Sequence, residues 1–340
     1  MSLIFCGDTT VPFSIKPGYD DSLRALFAGN TAIANLEGAI LTDENQTTHY
    51  RRSDKYSLYS STAVTDMLRD LDIRYVSLCN NHIRDYKPDL AITEKILRDA
   101  GTEPFGLRNH DMLRISDNGR EIFIFTFATC SCEHALNLFS PEKLLRHVKE
   151  VRAAYPDARI VIFPHWGRER FYLPEPADRE LAHRLADSGA DIIVGHHPHI
   201  IQPVETYRGV QIIYSIGNFF LARGKYGTRT LVFPEEMSHE IIVKWDGESA
   251  EIIPLHYDAD TQTLSADPSY DMSRHLTALD GEMTDKEYAR LYSSHFSLPE
   301  RLLRTRFRPT YARECISHGK RSIIRTIRRL LIASGLHTPK

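Results

Sequence analysis

Cysteine and tryptophan are both scarce in this 340-residue chain, with five of the first and two of the second. The cysteines, Cys6, Cys79, Cys130, Cys132 and Cys315, are odd in number and show no paired spacing, which argues against a disulfide framework. Cys6 and Cys79 fall in apolar runs that read as strands, where a thiol is a small buried side chain. Such usage fits a reducing compartment. No apolar run approaches the about 20 residues of a membrane-spanning helix. There is no internal repeat and no low-complexity tract. The opening MSLIFCGDTT lacks the basic and long apolar regions of a secretory signal. These absences lead to an expected cytoplasmic location. Excess charge of one sign is small as well: the net charge is −3, with 26% charged and 42% hydrophobic residues, an ordinary soluble globular composition.

The sign of the charge is nevertheless uneven. From Arg301 to Lys340 there are eleven Lys or Arg against one acid, Glu314. Within that tail, KRSIIRTIRRLLIASGL places Ile323, Ile324, Ile327, Leu330, Leu331 and Leu336 largely on one side, flanked or opposed by Arg321, Arg325, Arg328 and Arg329. Residues 320–336 therefore read as a basic amphipathic helix. It either lies on an anionic membrane surface, which would put the protein peripherally on the inner membrane face, or docks on its own domain. Nucleic acid is not expected as a partner, since the tail lacks interleaved aromatics and no reader motif appears.

A chain of this length holds one large domain plus an extension, or two domains. LIFCGD, TAIANLEG, RYVSLCNNH, REIFIFTFAT, ARIVIFPHWG and ADIIVGHHPH read as strands. DSLRALFAG, TAVTDMLRDLD, PDLAITEKILRDAG and ADRELAHRLADSGA read as helices between them. VQIIYSIGNFF and HEIIVKWDGESAEIIPLHY continue as strands, the latter turning at Asp246-Gly247. The alternation predicts an α/β fold with much parallel pairing and a late antiparallel part. After about Asp258 the sequence becomes polar and arginine-rich. We therefore expect a domain over 1–257 and an extension over 258–340, a loop followed by the basic helix.

Where the strands stop, chemistry begins. LIFCGD ends at Asp8, IANLEG at Asn35 and Glu37, and VSLCNNH at Asn80, Asn81 and His82. VIFPHWG ends at His165, IIVGHHPH at His196, His197 and His199, and IIYSIGNF at Asn218. Ligands bind outside the carboxyl ends of strands in α/β sheets. A single histidine at such an end is ordinarily just a satisfied polar side chain. Six strands ending in Asp, Glu, Asn or His form a coherent set. Carboxylate, carboxamide and imidazole together suit a borderline divalent metal such as Mn, Fe, Co or Zn, and no thiolate set of the structural-zinc kind is present. The candidates outnumber the ligands of one tetrahedral ion, so two ions are expected, with Glu37 bridging them.

These motifs in order (GD at 7–8, NLEG at 35–38, NNH with Asp85, HWG at 165–167, GHHPH at 195–199, YSIGNF at 214–219) resemble the CapA-type capsule-synthesis proteins of the poly-γ-glutamate class. That family is similar in fold to calcineurin-like metallophosphoesterases, and the resemblance covers about residues 3 to 255. It implies a four-layer αββα sandwich and assigns the metal positions to Asp8, Glu37, Asn81, His165, His197 and His199. It also makes His82 the group that contacts phosphate or protonates the leaving oxygen. One departure stands out. The wider superfamily has Asp-x-His where this chain has Asp8, Thr9 and Thr10, which removes an imidazole from one ion unless Asn35 or water replaces it. His196 stands where that superfamily has Gly, and either orients a neighbour or merely fills the slot.

On the substrate side the expected residues are Asn35, Arg84, Trp166, Arg168 and His196. Trp166 and Glu169 either line the cleft or, for Trp166, pack against a helix. Asn218 is expected to hold a loop through side-chain to backbone hydrogen bonds. Arg51, Arg52 and Lys55 form a charged loop that either meets an anionic substrate or is only solvated. Two functions follow. In the first, a metal-activated water attacks a phosphorylated or polymeric anionic substrate in line and His82 protonates the departing oxygen. In the second, a degraded metal site leaves a non-catalytic component of a membrane polymer synthesis or export complex. Metal chemistry on an amide polymer would use the same residues.

Overall fold

The computed structural model describes residues 2–48, 57–86, 89–107, 110, 112–117, 119–129, 140–227, 229–232, 237–274 and 278–295. The chain divides into two units, Met1–Met283 and Thr284–Lys340. In the second, the described element is the helix Asp285–Ser294, whose start is closed by a reciprocal capping box between Thr284 and Glu287. The basic amphipathic helix expected over 320–336 lies outside the described residues. So do Arg51, Arg52, Lys55, Cys130, Cys132 and Cys315.

The first unit contains two large sheets. One runs Gly18–Tyr19, Thr263–Ala266, Ala250–Asp258, His239–Trp245, Leu3–Thr10, Thr31–Leu36, Ile73–Ser77, Glu103–Phe105, with Asn218–Leu221 pairing the far end of Leu3–Thr10. The other runs Ala278–Leu279, Val204–Tyr207, Val210–Ile213, Ile192–Val194, Arg159–Ile162, Arg120–Phe125, Met112–Asp117. From Leu3–Thr10 through Glu103–Phe105 the first sheet is parallel, and the helices Asp21–Phe27, Ala63–Asp70 and Leu90–Asp99 make the crossovers. Parallel pairing also joins Arg120–Phe125, Arg159–Ile162, Ile192–Val194 and Val210–Ile213 in the second sheet.

The period-two alternation of strands divides the core into three layers of contact. Leu3 and Phe5 face Val161, Phe163, Ile192 and Val194 of the opposite sheet, and the Phe5 and Phe163 rings lie 5.8 Å apart. Ile4 and Cys6 point the other way, onto Leu23, Phe27, Val64 and Leu68 of the helices. On the second sheet, Phe123, Phe125, Ile160 and Ile162 pack outward against Leu145, Val148, Leu181 and Leu185 of the helices Pro141–Ala154 and Pro176–Asp187. Helix, sheet, sheet, helix is thus the layer order, the αββα sandwich expected of a metallophosphoesterase-type fold.

Two sequence readings need correction. VQIIYSIGNFF is not one strand: Val210–Ile213 belongs to the second sheet and Asn218–Leu221 to the first, the chain crossing between them at Ser215 to Gly217. An unbroken apolar run does not reveal which sheet each half joins. The polar stretch after 258 is not all loop either. Thr263–Ala266 pairs antiparallel with Ala250–Asp258, and Ala278–Leu279 pairs with Val204–Tyr207, so the sheets continue past 257. Such short strands leave a weak apolar pattern, and in Thr263–Ala266 Leu264 alone is buried.

Candidate metal centre

Both sheets deliver polar side chains from the carboxyl ends of their parallel strands. Asp8 is placed by an irregularity. The register of Leu3–Thr10 slips between Cys6 and Asp8 against one neighbour and between Asp8 and Thr9 against the other, which turns the carboxylate out of the regular pleat. Gly7 permits this, because a Cβ there would meet the Gly217 carbonyl oxygen at 2.1 Å. Glu37 follows the next strand, and its turn is held by Asn80, which donates to Leu36 O at 2.7 Å and accepts from Gly38 N at 3.2 Å. From the second sheet, His165 and His196 extend neighbouring strands as bridge partners. His197 and His199 follow with φ of +101° and +58°, backbone that costs a non-glycine residue about 1–3 kcal/mol and persists only where the surrounding structure over-determines it.

The hydrogen bonds set the ring tautomers. His196 Nδ1 lies 2.9 Å from Asp8 Oδ1 and 3.1 Å from His165 Nδ1, while His165 Nε2 lies 2.7 Å from Asn81 Oδ1. A proton on His196 Nδ1 directed at Asp8, and one on His165 Nε2 directed at Asn81, satisfies all three contacts and leaves His196 Nε2 bare. Asn35 joins the two acids: its Nδ2 donates to Asp8 Oδ1 at 2.7 Å and to Glu37 Oε2, and its carbonyl accepts from Asn80. His82 is fastened by Nδ1 to Asp85 Oδ2 at 2.5 Å, which leaves Nε2 facing Glu37 Oε1 at 3.8 Å.

Burial governs the charges. It would raise Asp8, but hydrogen bonds from His196 and His199 hold that carboxyl well below the usual carboxylate range. Glu37 is pushed well up, by burial first and then by the Asp8 charge, against the hydrogen bond from Asn35. Burial drives His165 well down and His197 to about 3. Both imidazoles are therefore neutral near pH 7. His199 rises despite burial, because Asp8 Oδ2 lies 3.2 Å from its Nδ1.

Two groups have the composition of cation sites: Asp8, His165 and His196, and Glu37, His197 and His199. In each, one ligand atom per residue lies within 4.8 Å of the others. Fully buried polar atoms need partners, yet Glu37 Oε1, His196 Nε2 and His197 Nδ1 have none, and Asp8 Oδ2 has no well-aligned hydrogen bond. These buried electron-pair donors, two from each group, have the chemistry of ligands to divalent cations.

Of the predicted ligands, Asp8, Glu37, His165, His197 and His199 fall in these groups, and Asn81 touches the first through His165. Residues assigned to the substrate fare differently. Asn35 and His196 are fully buried and bond to the acids, so neither faces a substrate. Trp166, 1% exposed, donates its indole N–H to Tyr214 O at 2.8 Å and stacks on the Tyr214 ring, which makes it core behind the centre rather than cleft wall. Arg84 is exposed on the turn after His82, and the half-buried Arg168 lies over the Phe171 ring at 5.6 Å. The loop carrying Arg168 and the exposed Glu169 is tied to the histidine loop by Arg170 N to Pro198 O at 2.8 Å and by Gln202 Nε2 to Phe171 O at 2.7 Å. Thr10, in the slot of the missing imidazole, bonds through its hydroxyl to Tyr226. Asn218 does more than brace a loop: its side chain reaches His199 at 2.8 Å and Glu240 at 2.7 Å. Glu240 escaped sequence reasoning, since one acid at the start of HEIIVKW reads as an edge residue.

Comparison with known proteins adds four findings. Residues 3–222 match the sequence model of the family described as bacterial capsule synthesis protein PGA_cap. The chain is 29% identical over 225 residues to the PGA biosynthesis protein CapA of Bacillus subtilis, covering 59% of this chain and 56% of that protein. It is 28% identical over 208 residues to the capsule biosynthesis protein CapA of Bacillus anthracis, covering 56% and 50%. It thus spans about half the length of the curated relatives it matches. A solved structure of a phosphatase from Mycoplasma pneumoniae superposes over 78% of this chain and 90% of its own, with a TM-score of 0.40 and 13% identity.

Proposed function

Because the chain belongs to the bacterial capsule synthesis protein family PGA_cap, we propose that it acts in capsule or exopolymer biosynthesis, of a polysaccharide or poly-γ-glutamate, as a metal-dependent phosphoesterase. The observation that carries this reading is the pair of buried ligand groups, with their unpartnered donor atoms, at the common end of two sheets. Two divalent ions, Mn, Fe or Zn, would be held by Asp8, His165 and His196 and by Glu37, His197 and His199. Bound there, such ions supply charge against phosphoryl oxygens and acidify a water.

The chain's own groups supply the rest. Asn35 clamps Asp8 and Glu37 in one orientation, so the two carboxyls, one from each ligand group, stay side by side. Asp85 holds the His82 ring with Nε2 toward the centre, and a proton on that atom passes to the departing oxygen. Arg168 and Arg84, near the rim, offer cations to an anionic substrate. His197→Ala is expected to abolish hydrolysis of an aryl phosphate assayed with Mn; unchanged turnover would overturn the mechanism.

A second reading is favoured by Thr10, whose hydroxyl is engaged by Tyr226 and adds no ligand. On that reading the protein binds metal weakly and serves a membrane polymer synthesis or export complex without catalysis. No helix among the described residues is long and apolar enough to cross a membrane. Attachment would rest on the basic segment 320–336 against anionic lipid. Metal content of protein purified with Mn or Fe separates the two readings: stoichiometric metal supports the enzyme, and its absence supports the scaffold.

A further inference from the structure

Glu240 is 1% exposed and is the second residue of the strand His239–Trp245, where the Arg223 charge acts on it only as a minor influence beside burial and Asn218. Its carboxyl is instead used entirely by one residue. Oε1 accepts from Asn218 Nδ2 at 2.7 Å and Oε2 accepts from the Asn218 backbone N–H at 2.8 Å. The fit is tight: Gly217 has φ of +71°, and a Cβ on it would stand 1.9 Å from Glu240 Oε2. Glycine is required there for the carboxyl to reach the backbone at all.

This grip has a directional consequence. Burial raises the Glu240 carboxyl and the Asn218 hydrogen bonds oppose that rise. Because an amide has a donor end and an acceptor end, and both Glu240 oxygens are placed to accept N–H groups of Asn218, the donor end is the one that faces Glu240. With Nδ2 turned to Glu240, the Asn218 oxygen must face the other way, where it meets His199 Nδ1 at 2.8 Å. Asp8 Oδ2, 3.2 Å from the same nitrogen, is a second acceptor. A nitrogen between two acceptors carries the proton, so the opposite ring nitrogen has its lone pair free.

We infer that Glu240 is a positioning residue which, through the side-chain amide of Asn218, fixes His199 in the Nδ1–H tautomer and so presents Nε2 of His199 to a divalent cation. The last clause rests on the metal-centre reading above; the tautomer itself does not. Glu240→Gln supplies the contrast. A glutamine that accepts the Asn218 backbone N–H with its oxygen turns its own NH2 toward the Asn218 side chain. That reverses the Asn218 amide and points a donor at His199 Nδ1.

The test uses the full chain, stripped of metal, at alkaline pH where the ring is neutral. Long-range proton–nitrogen correlation spectra distinguish the two tautomers, with His199→Gln assigning the signal. In the unsubstituted protein His199 is expected as Nδ1–H. In Glu240→Gln the Nε2–H form is expected to become populated, and zinc affinity, measured by chelator competition, to fall about 10- to 100-fold. An Nε2–H ring in the unsubstituted protein overturns the inference, and this holds even if the variant does not fold. A folded Glu240→Gln with unchanged tautomer and unchanged zinc affinity also overturns it. An Nδ1–H ring in a protein that takes up no zinc leaves Glu240 in this role and removes the metal-centre reading instead.

Discussion

Asn81 Oδ1 lies 2.7 Å from His165 Nε2, although 84 residues separate them in the chain. Asn81 follows a strand of the first sheet and His165 a strand of the second, so this one contact spans the joint between the sheets. The centre exists only while the two sheets keep their registry, and that registry is a matter of apolar packing between them.

Phe163 therefore links stability to the site. It is fully buried, with its ring 5.8 Å from Phe5 across the sheets and 4.5 Å from the His196 imidazole. Phe163→Ala should cost about 3–5 kcal/mol by removing a large core side chain. Urea unfolding measures that loss. Metal binding should weaken with it, because His196 loses the ring it rests on.

Asp85 is expected to matter for turnover rather than for folding. Its Oδ2 accepts from His82 Nδ1 at 2.5 Å and from Leu58 N at 3.0 Å. Asp85→Asn keeps the shape but can present an N–H to His82 and so release the ring. Hydrolysis of an aryl phosphate should drop about 100-fold or more if His82 supplies the proton, with the circular dichroism spectrum unchanged. A variant with full turnover would remove His82 from that role.

Withdrawing metal should destabilise the protein. Asp8 and Glu37 are fully buried acids, one in each ligand group, and the Asp8 charge raises Glu37, so a cation held there would offset an unfavourable interaction. Because a ligand bound only by the folded state stabilises it by mass action, a hundredfold excess over its Kd is worth about 2.7 kcal/mol. Calorimetry with Mn and with a chelator should show a higher Tm with Mn, and Glu37→Gln should shrink the difference. Equal transitions in both conditions would argue against a cation at this centre.

Asp178 gives a pH dependence with a definite sign. Burial, then the Glu175 charge, raises its carboxyl from 3.8 to about 7, and Oδ2 has no partner. Its folded value lies above its unfolded one, so its favourable contribution is complete below about pH 4 and is lost as pH rises toward and through 7. Asp178→Asn should leave stability unchanged at pH 4 and raise it at pH 8, by an amount on the order of 1–4 kcal/mol. Denaturant midpoints at the two pH values check it, and a variant less stable at pH 8 would show that the charged carboxyl is compensated.

Much of this could be read from the chain because local patterning carries it. TAVTDMLRDLD has one apolar face, and Val64, Met67, Leu68 and Leu71 are the residues it buries. Strand ends are equally legible: an apolar run that stops at Asp8, His165 or His197 marks a place where the core ends and polar chemistry begins. Order along the chain was enough to bring out the family and the ligand types.

Side-chain direction was not legible, because it depends on partners far away in sequence. Asn35, His196 and Trp166 sit in the right motifs yet face inward, since only the second sheet, once packed, decides which surface of each strand end remains open. Glu240 became a functional candidate only when the tertiary fold laid it beside Asn218. Residue types and their spacing along the chain set what chemistry was available; the packing of one sheet on the other, a non-local and largely apolar event, selected which atoms perform it.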